Sequence, residues 1–223
     1  MKRRDFLRVT LVGGAAAAVA PLDLWGKGTG KSGFTLWQLP SQVDTIGNSF
    51  VFLTDKGRVV VMDGGMNDET LFLRGFIAAL GNEVEAWFTS HPHNDHVGAL
   101  TKILQKPDGM KINKVYHSRF SDSLLACEAP YQQYALDYYE ALDKSGIEVA
   151  NQTEPGLTGQ IDGLNFKILG VTNEEFRTNP YNNSSMIIRV WDKAKSLVFL
   201  GDAGVECGSR PSGLRKTTQS GNS

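Results

Sequence analysis

Thr89-Ser90-His91-Pro92-His93-Asn94-Asp95-His96-Val97-Gly98 is the stretch on which the reading of this chain turns. Three of the chain's 4 histidines stand here with one carboxylate between them, too concentrated for chance placement in a core. Imidazole and carboxylate groups are costly to bury without partners and are good ligands for zinc and similar ions. In an extended loop, side chains alternate, so residues 91 and 93 point to one side. His91 and His93 are therefore placed to grip one ion, and Asp95 and His96, where the loop turns into a helix, to face a second. A solvated histidine-rich loop is the plainer reading. Position argues against it, because the apolar run Val84 to Thr89 leads straight into the cluster. Open α/β folds bind ligands beyond the carboxyl ends of their strands.

The flanking sequence alternates strand and helix patterns. Strands are expected at Phe34 to Leu39, Ser49 to Thr54 and Arg58 to Met62, the last two joined by the turn signal Asp55-Lys56-Gly57. Asn67 to Leu80 carries apolar residues at helical spacing and stops at Gly81. The helix pattern returns over Val97 to Leu104. Ile112 to Tyr116 reads as a strand closing at His117, and Ser121 to Lys144 as a helical region interrupted by Pro130. Further strands are expected at Leu164 to Leu169, Ser185 to Trp191 and Ser196 to Leu200. Helices and sheets of this kind pack as layers of one α/β domain.

With those residues in view, His91-Pro-His93-Asn-Asp95-His96 resembles the His-x-His-x-Asp-His signature of the metallo-β-lactamase fold hydrolases. Leu197-Val-Phe-Leu-Gly201-Asp202 and Val59-Val-Val-Met-Asp63-Gly64-Gly65 are similar to two further strand-to-aspartate elements of that superfamily. The resemblance implies a four-layer αββα sandwich over residues 34–204. It implies His91 and His93 on a first metal, Asp95 and His96 on a second, and Asp202 bridging the two. Asp63 would orient a ligand imidazole, unless it is a turn residue before the glycine pair. The implied chemistry is hydrolysis by metal-activated water, with Asp95 also orienting the nucleophile. The ions would be one or two Zn2+, with manganese or iron as alternatives.

The family pattern breaks in two places. A third histidine of the first metal is replaced by Asn179-Pro-Tyr-Asn182-Asn183-Ser184-Ser185, similar to the branch containing the hydrolase domain of the DNA-uptake channel protein. Asn182 or Asn183 would offer an amide oxygen there, or both serve the turn. No histidine follows Asp202, where Glu206 or Cys207 would be the only substitutes, and residues 205–223 read as an irregular polar tail. The resemblance thus implies a fold incomplete at its C-terminal end. The DNA-uptake branch points to a phosphodiester or other phosphoester substrate. The competing readings are a catalytically impaired metal-binding domain of the same fold and a binding protein with a histidine-rich surface. His117 is expected either to face the site or to be structural.

The opening residues form an address. Met-Lys-Arg3-Arg4-Asp-Phe-Leu-Arg8, followed by a short apolar run from Val9 to Ala20, resembles a twin-arginine export signal. That run is too short to span a bilayer of roughly 30 Å. Residues 1–33 are read as signal and linker, the export machinery as a partner, and the periplasm or medium as the destination. At 223 residues, with 41% apolar and 21% charged side chains, the chain has the balance of an ordinary globular domain. Its net charge of −1 gives no global pull towards nucleic acid or anionic membrane, so an anionic substrate would need local groups or a metal. Cys127 and Cys207 lack zinc-type spacing, and they read as one bridge or as two unrelated thiols.

Overall fold

The structure is a computed structural model that describes residues 31–208. The expected export signal and most of the polar tail lie outside the described residues. Three antiparallel strands open the fold: β1 (Phe34–Gln38), β2 (Ser49–Thr54) and β3 (Val59–Asp63). Gly57 makes the tight β2–β3 turn at a φ of 86°, a conformation open to glycine. The chain then switches to parallel crossovers. Helix α1 (Thr70–Ala79) leads to β4 (Glu83–Phe88), and α2 (Asn94–Gln105) to the short β5 (Lys111–Ile112) and β6 (Lys114–His117). Helices α3 (Asp122–Leu125) and α4 (Ala129–Lys144) lead to β7 (Glu148–Asn151), parallel to β6. These strands form one sheet in the order β1-β2-β3-β4-β6-β7, with β5 also on β4.

A second, antiparallel sheet holds β8 (Thr158–Ile161), β9 (Leu164–Gly170), β10 (Ile187–Trp191) and β11 (Ser196–Phe199) in the order β11-β10-β9-β8. Helix α5 (Pro180–Asn183), a single turn, lies between β9 and β10. β3 explains the layering. All five of its residues are buried, so it reads as an unbroken apolar run although its side chains alternate. Val59 and Val61 join the core beneath the helices with Ile77, Leu100, Ile103 and Leu142. Val60 and Met62 join the core between the sheets with Phe88, Phe166, Ile168 and Ile188. Helices, sheet and second sheet are thus the three layers among the described residues, in the mixed α/β arrangement expected.

The structure adds β7, β8 and α5 to the expected elements. It also moves the break in the helical region from Pro130 to the turn at Ala126–Glu128. Pro130 falls in the first turn of α4, where its missing N–H leaves no helical bond unmade. Cys127 is an exposed free thiol. Among the described residues no helix is long and apolar enough to cross a membrane.

Candidate metal centre

The ends of β3, β4 and β6 lie side by side and deliver Asp63, the 89–96 loop and His117 to one rim of the first sheet. Asp63 sits there at a φ of 55°, uncommon for a residue with a side chain, and its carbonyl accepts a 2.9 Å bond from the Trp87 indole N–H. That conformation turns its carboxylate into the 89–96 loop. Oδ1 accepts the Ser90 backbone N–H at 2.7 Å, and Oδ2 accepts the Ser90 hydroxyl at 2.9 Å. Oδ2 also takes the His96 Nδ1–H at 2.9 Å. This last bond fixes which nitrogen of His96 faces outward.

The outward nitrogen, Nε2, lies 3.5 Å from Asp95 Oδ2 and 3.3 Å from Asp202 Oδ1. A neutral imidazole whose Nδ1 donates to Asp63 would turn a lone pair onto two carboxylates. The arrangement therefore demands a cation at that point. Burial opposes a charge on His96, but Asp63, Asp202 and Asp95 outweigh it and raise the pKa to about 10. The bond from His96 in turn holds the Asp202 carboxyl below its usual range.

His91 is the electrostatic opposite. Burial, then the neighbouring His96 and His93, press its pKa well below the ordinary value and keep the ring neutral, the form in which imidazole ligates. Its Nε2 meets His93 Nδ1 at 2.9 Å, while His93 Nε2 donates to Glu128 Oε2 at 2.9 Å. The carboxylate thereby leaves the Nδ1 lone pair of His93 aimed at His91. Glu128 is itself held by the Tyr181 backbone N–H at 2.9 Å, and the Tyr181 ring stacks on His93 with centroids 5.1 Å apart.

The second sheet closes the site. The hydroxyl of Ser185 lies 3.3 Å from His91 Nδ1, donates to the Asn182 carbonyl at 2.7 Å and accepts the Asp202 N–H at 3.3 Å. Gly201, with φ 58°, permits this approach, since a Cβ there would stand 2.7 Å from both Ser185 Oγ and Ser90 Cβ. Of the two asparagines, Asn183 serves the turn. Its amide donates to Thr178 O at 2.6 Å, and its oxygen accepts the Gly204 N–H at 2.8 Å. Glu206 is drawn to the same amide at 3.4 Å. Asn182 differs: its buried Oδ1 makes no bond of proper geometry, though its amide acts on the His91 ring by favouring the protonated form.

His91, His96 and Asp202 each bring one ligand atom into a cluster in which all lie within 4.8 Å of one another. His93 reaches this group through His91, and Asp95 through His96. Two imidazoles and a carboxylate converging on an electron-rich point, with His93 and Asp95 beside them, fit a divalent ion. His117 stands apart. It is buried between Tyr138 and Tyr139, its Nδ1 has no partner, and it shares only a narrow crevice with Ser90 and His91. Burial, then the Arg119 cation, lower its pKa to about 4. Sequence reasoning missed Glu128, Ser90 and Ser185 as partners of the histidines. Only the carboxylate or hydroxyl type of these residues hinted at a role, since Glu128 and Ser185 come from distant elements.

Residues 43–218 match the family model described as Metallo-beta-lactamase superfamily. No curated protein matches the chain. Among solved structures, it is similar to a HARLDQ-motif metallo-beta-lactamase mutant from Cronobacter sakazakii. That match has a TM-score of 0.50 at 15% identity, covering 74% of this chain and 60% of the other. The metallo-beta-lactamase fold protein YhfI from Bacillus subtilis gives a TM-score of 0.45 at 15% identity, with 74% and 61% covered. A diphosphatase from the PhnP family gives 0.41 at 16% identity, with 65% and 48% covered. The chain spans about half to three-fifths of the length of these solved structures.

Proposed function

The chain belongs to the metallo-beta-lactamase superfamily, and from that premise we propose that it is a metal-dependent hydrolase acting on a phosphoester or related ester. One observation carries the reading: His96 Nε2 is walled by Asp95 and Asp202 while its Nδ1 is committed to Asp63. Such a point holds a proton when nothing else is offered and yields it to a stronger cation. One or two divalent ions held by His91, His93, Asp95, His96 and Asp202 would acidify water and draw charge from the ester under attack. Zinc suits the imidazoles, with manganese or iron as alternatives.

The chain's own groups do the rest. Asp63 and Glu128 lock the ring orientations of His96 and His93. Asp95, in the first turn of α2, holds its carboxylate 3.5 Å from His96 Nε2, where it would also orient the attacking water. The phosphoester choice is guided by the Asn182–Ser185 element standing where a histidine is usual, as in the DNA-uptake branch. Export by the twin-arginine route to the periplasm or medium is part of the proposal and rests on Arg3, Arg4 and the apolar run behind them.

The test is metal content and turnover of bis(p-nitrophenyl) phosphate, for the protein as made, after chelation and after zinc or manganese is restored. Turnover should vanish with the metal and return with it, and His93→Ala should lose both together. Full turnover in the chelated protein, or a His93→Ala variant with undiminished metal, overturns the reading.

A further inference from the structure

Among the described residues, three buried side-chain atoms make no hydrogen bond of good geometry: Ser49 Oγ, His117 Nδ1 and Asn182 Oδ1. A buried polar atom without a partner costs about 1–3 kcal/mol, so each asks what it is for. Ser49 opens β2 opposite Asp63 and lines a separate crevice with Leu39, Gly64 and Glu69, and His117 lies against its tyrosines. Asn182 is beside the ligand histidines: its side chain meets the His91 ring, and its backbone carbonyl accepts the Ser185 hydroxyl, which touches His91 as well. We propose that Asn182 Oδ1 is a protein ligand on the His91 side of the metal centre. The resulting mixed imidazole–amide donor set favours a harder ion such as Mn2+ more than three imidazoles would. The inference rests on the metal-hydrolase reading.

The turn is built to present this oxygen. Asn179 enters the left-handed region at φ 41°, Pro180 starts the single turn of α5, and the Asn183 side chain ties it to Thr178 and Gly204. Asn183 spends both ends of its amide on structure, while the Asn182 side chain meets the His91 ring. Three anchors hold Asn182 in place: the Ser185 hydroxyl on its carbonyl, the buried Tyr181 before it, and the Asn183 amide after it. An amide oxygen is a harder and weaker donor than imidazole nitrogen. Replacing one imidazole in the set therefore costs zinc more than it costs manganese.

The experiment compares Zn2+ and Mn2+ affinity by chelator competition for the full chain and for Asn182→Ala, Asn182→Asp and Asn182→His, with unfolding midpoints measured alongside. Asn182→Ala should weaken at least one bound equivalent by about tenfold or more, the scale on which lost support of a metal site is felt. Asn182→His should raise the ratio of zinc to manganese affinity above that of the parent. An alanine variant that folds and binds both metals as the parent does overturns the proposal. Should alanine unfold the turn, Asn182→Asp decides: it keeps the oxygen, and binding weaker than the parent's is equally fatal. A parent chain that takes up no ion sinks the hydrolase reading itself, whereas unchanged affinity in the variants sinks only the role of Asn182.

Discussion

His93 and Glu128, 35 residues apart in sequence, meet through Nε2 and a carboxylate oxygen at 2.9 Å, and this bond decides which face of the imidazole looks into the site. Carboxylates behind ligand histidines set ring orientation and basicity, and losing one typically costs 10–100-fold in metal affinity. Glu128→Gln keeps an acceptor but not the charge, and it should lower affinity by about tenfold. Glu128→Ala, which also strips the Tyr181 N–H of its partner, should fall near the upper end. Chelator competition measures both, and an unchanged affinity in the alanine variant would deny Glu128 this role.

Gly201 turns the chain from β11 into Asp202 at a φ of 58°, with Ser185 and Ser90 too close for any side chain. Gly201→Ala should lose about 1–3 kcal/mol of stability in denaturant unfolding. Bound metal should also fall, because Asp202 is pushed away from His96.

Phe88 stacks on Tyr116 at 4.6 Å and meets Phe166 of the opposite sheet edge-on at 5.0 Å. Phe88→Ala should destabilise by about 3–5 kcal/mol, the sum of lost burial and the cavity left between the sheets. A loss below 1 kcal/mol would mean that this core collapses freely around the gap.

His117 predicts a pH dependence. Its folded pKa is lowered to about 4 by burial first and Arg119 second, with Asp143 pulling the other way. Below pH about 6.5 the unfolded chain takes up a proton that the folded chain refuses until about 4. This contribution is therefore whole above pH 6.5 and is lost as pH falls to about 4, a change of roughly 3 kcal/mol. Unfolding of His117→Gln should show a shallower acid slope in that window. Identical slopes in variant and parent would contradict the buried neutral state.

Much of this was legible in the chain because local patterns carried it. β2 matches its expected bounds, β3, β4, β9 and β11 lie within a residue or two, and the 91–96 cluster sits at the strand end where its sequence put it. What escaped was non-local. β7 and β8 are short, largely exposed strands with no hydrophobic period of their own, specified by their neighbours β6 and β9. A glutamate at the head of a helix carries no mark that its partner is a histidine on another crossover. The Asn182–Asn183 pair likewise read as interchangeable until the bonds of Asn183 were seen.

The groups that converge on His91 come from both sheets: histidines from the rim of the first, Ser185, Asn182 and Asp202 from the second. An ion shared among them would rivet two slabs that otherwise adhere through greasy side chains such as Met62, Phe88 and Met186 and through rim bonds such as Thr54 to Asp162. Prying the slabs apart would then set the ion free in the same event. Metal retention in this protein becomes a gauge of whether its halves are shut.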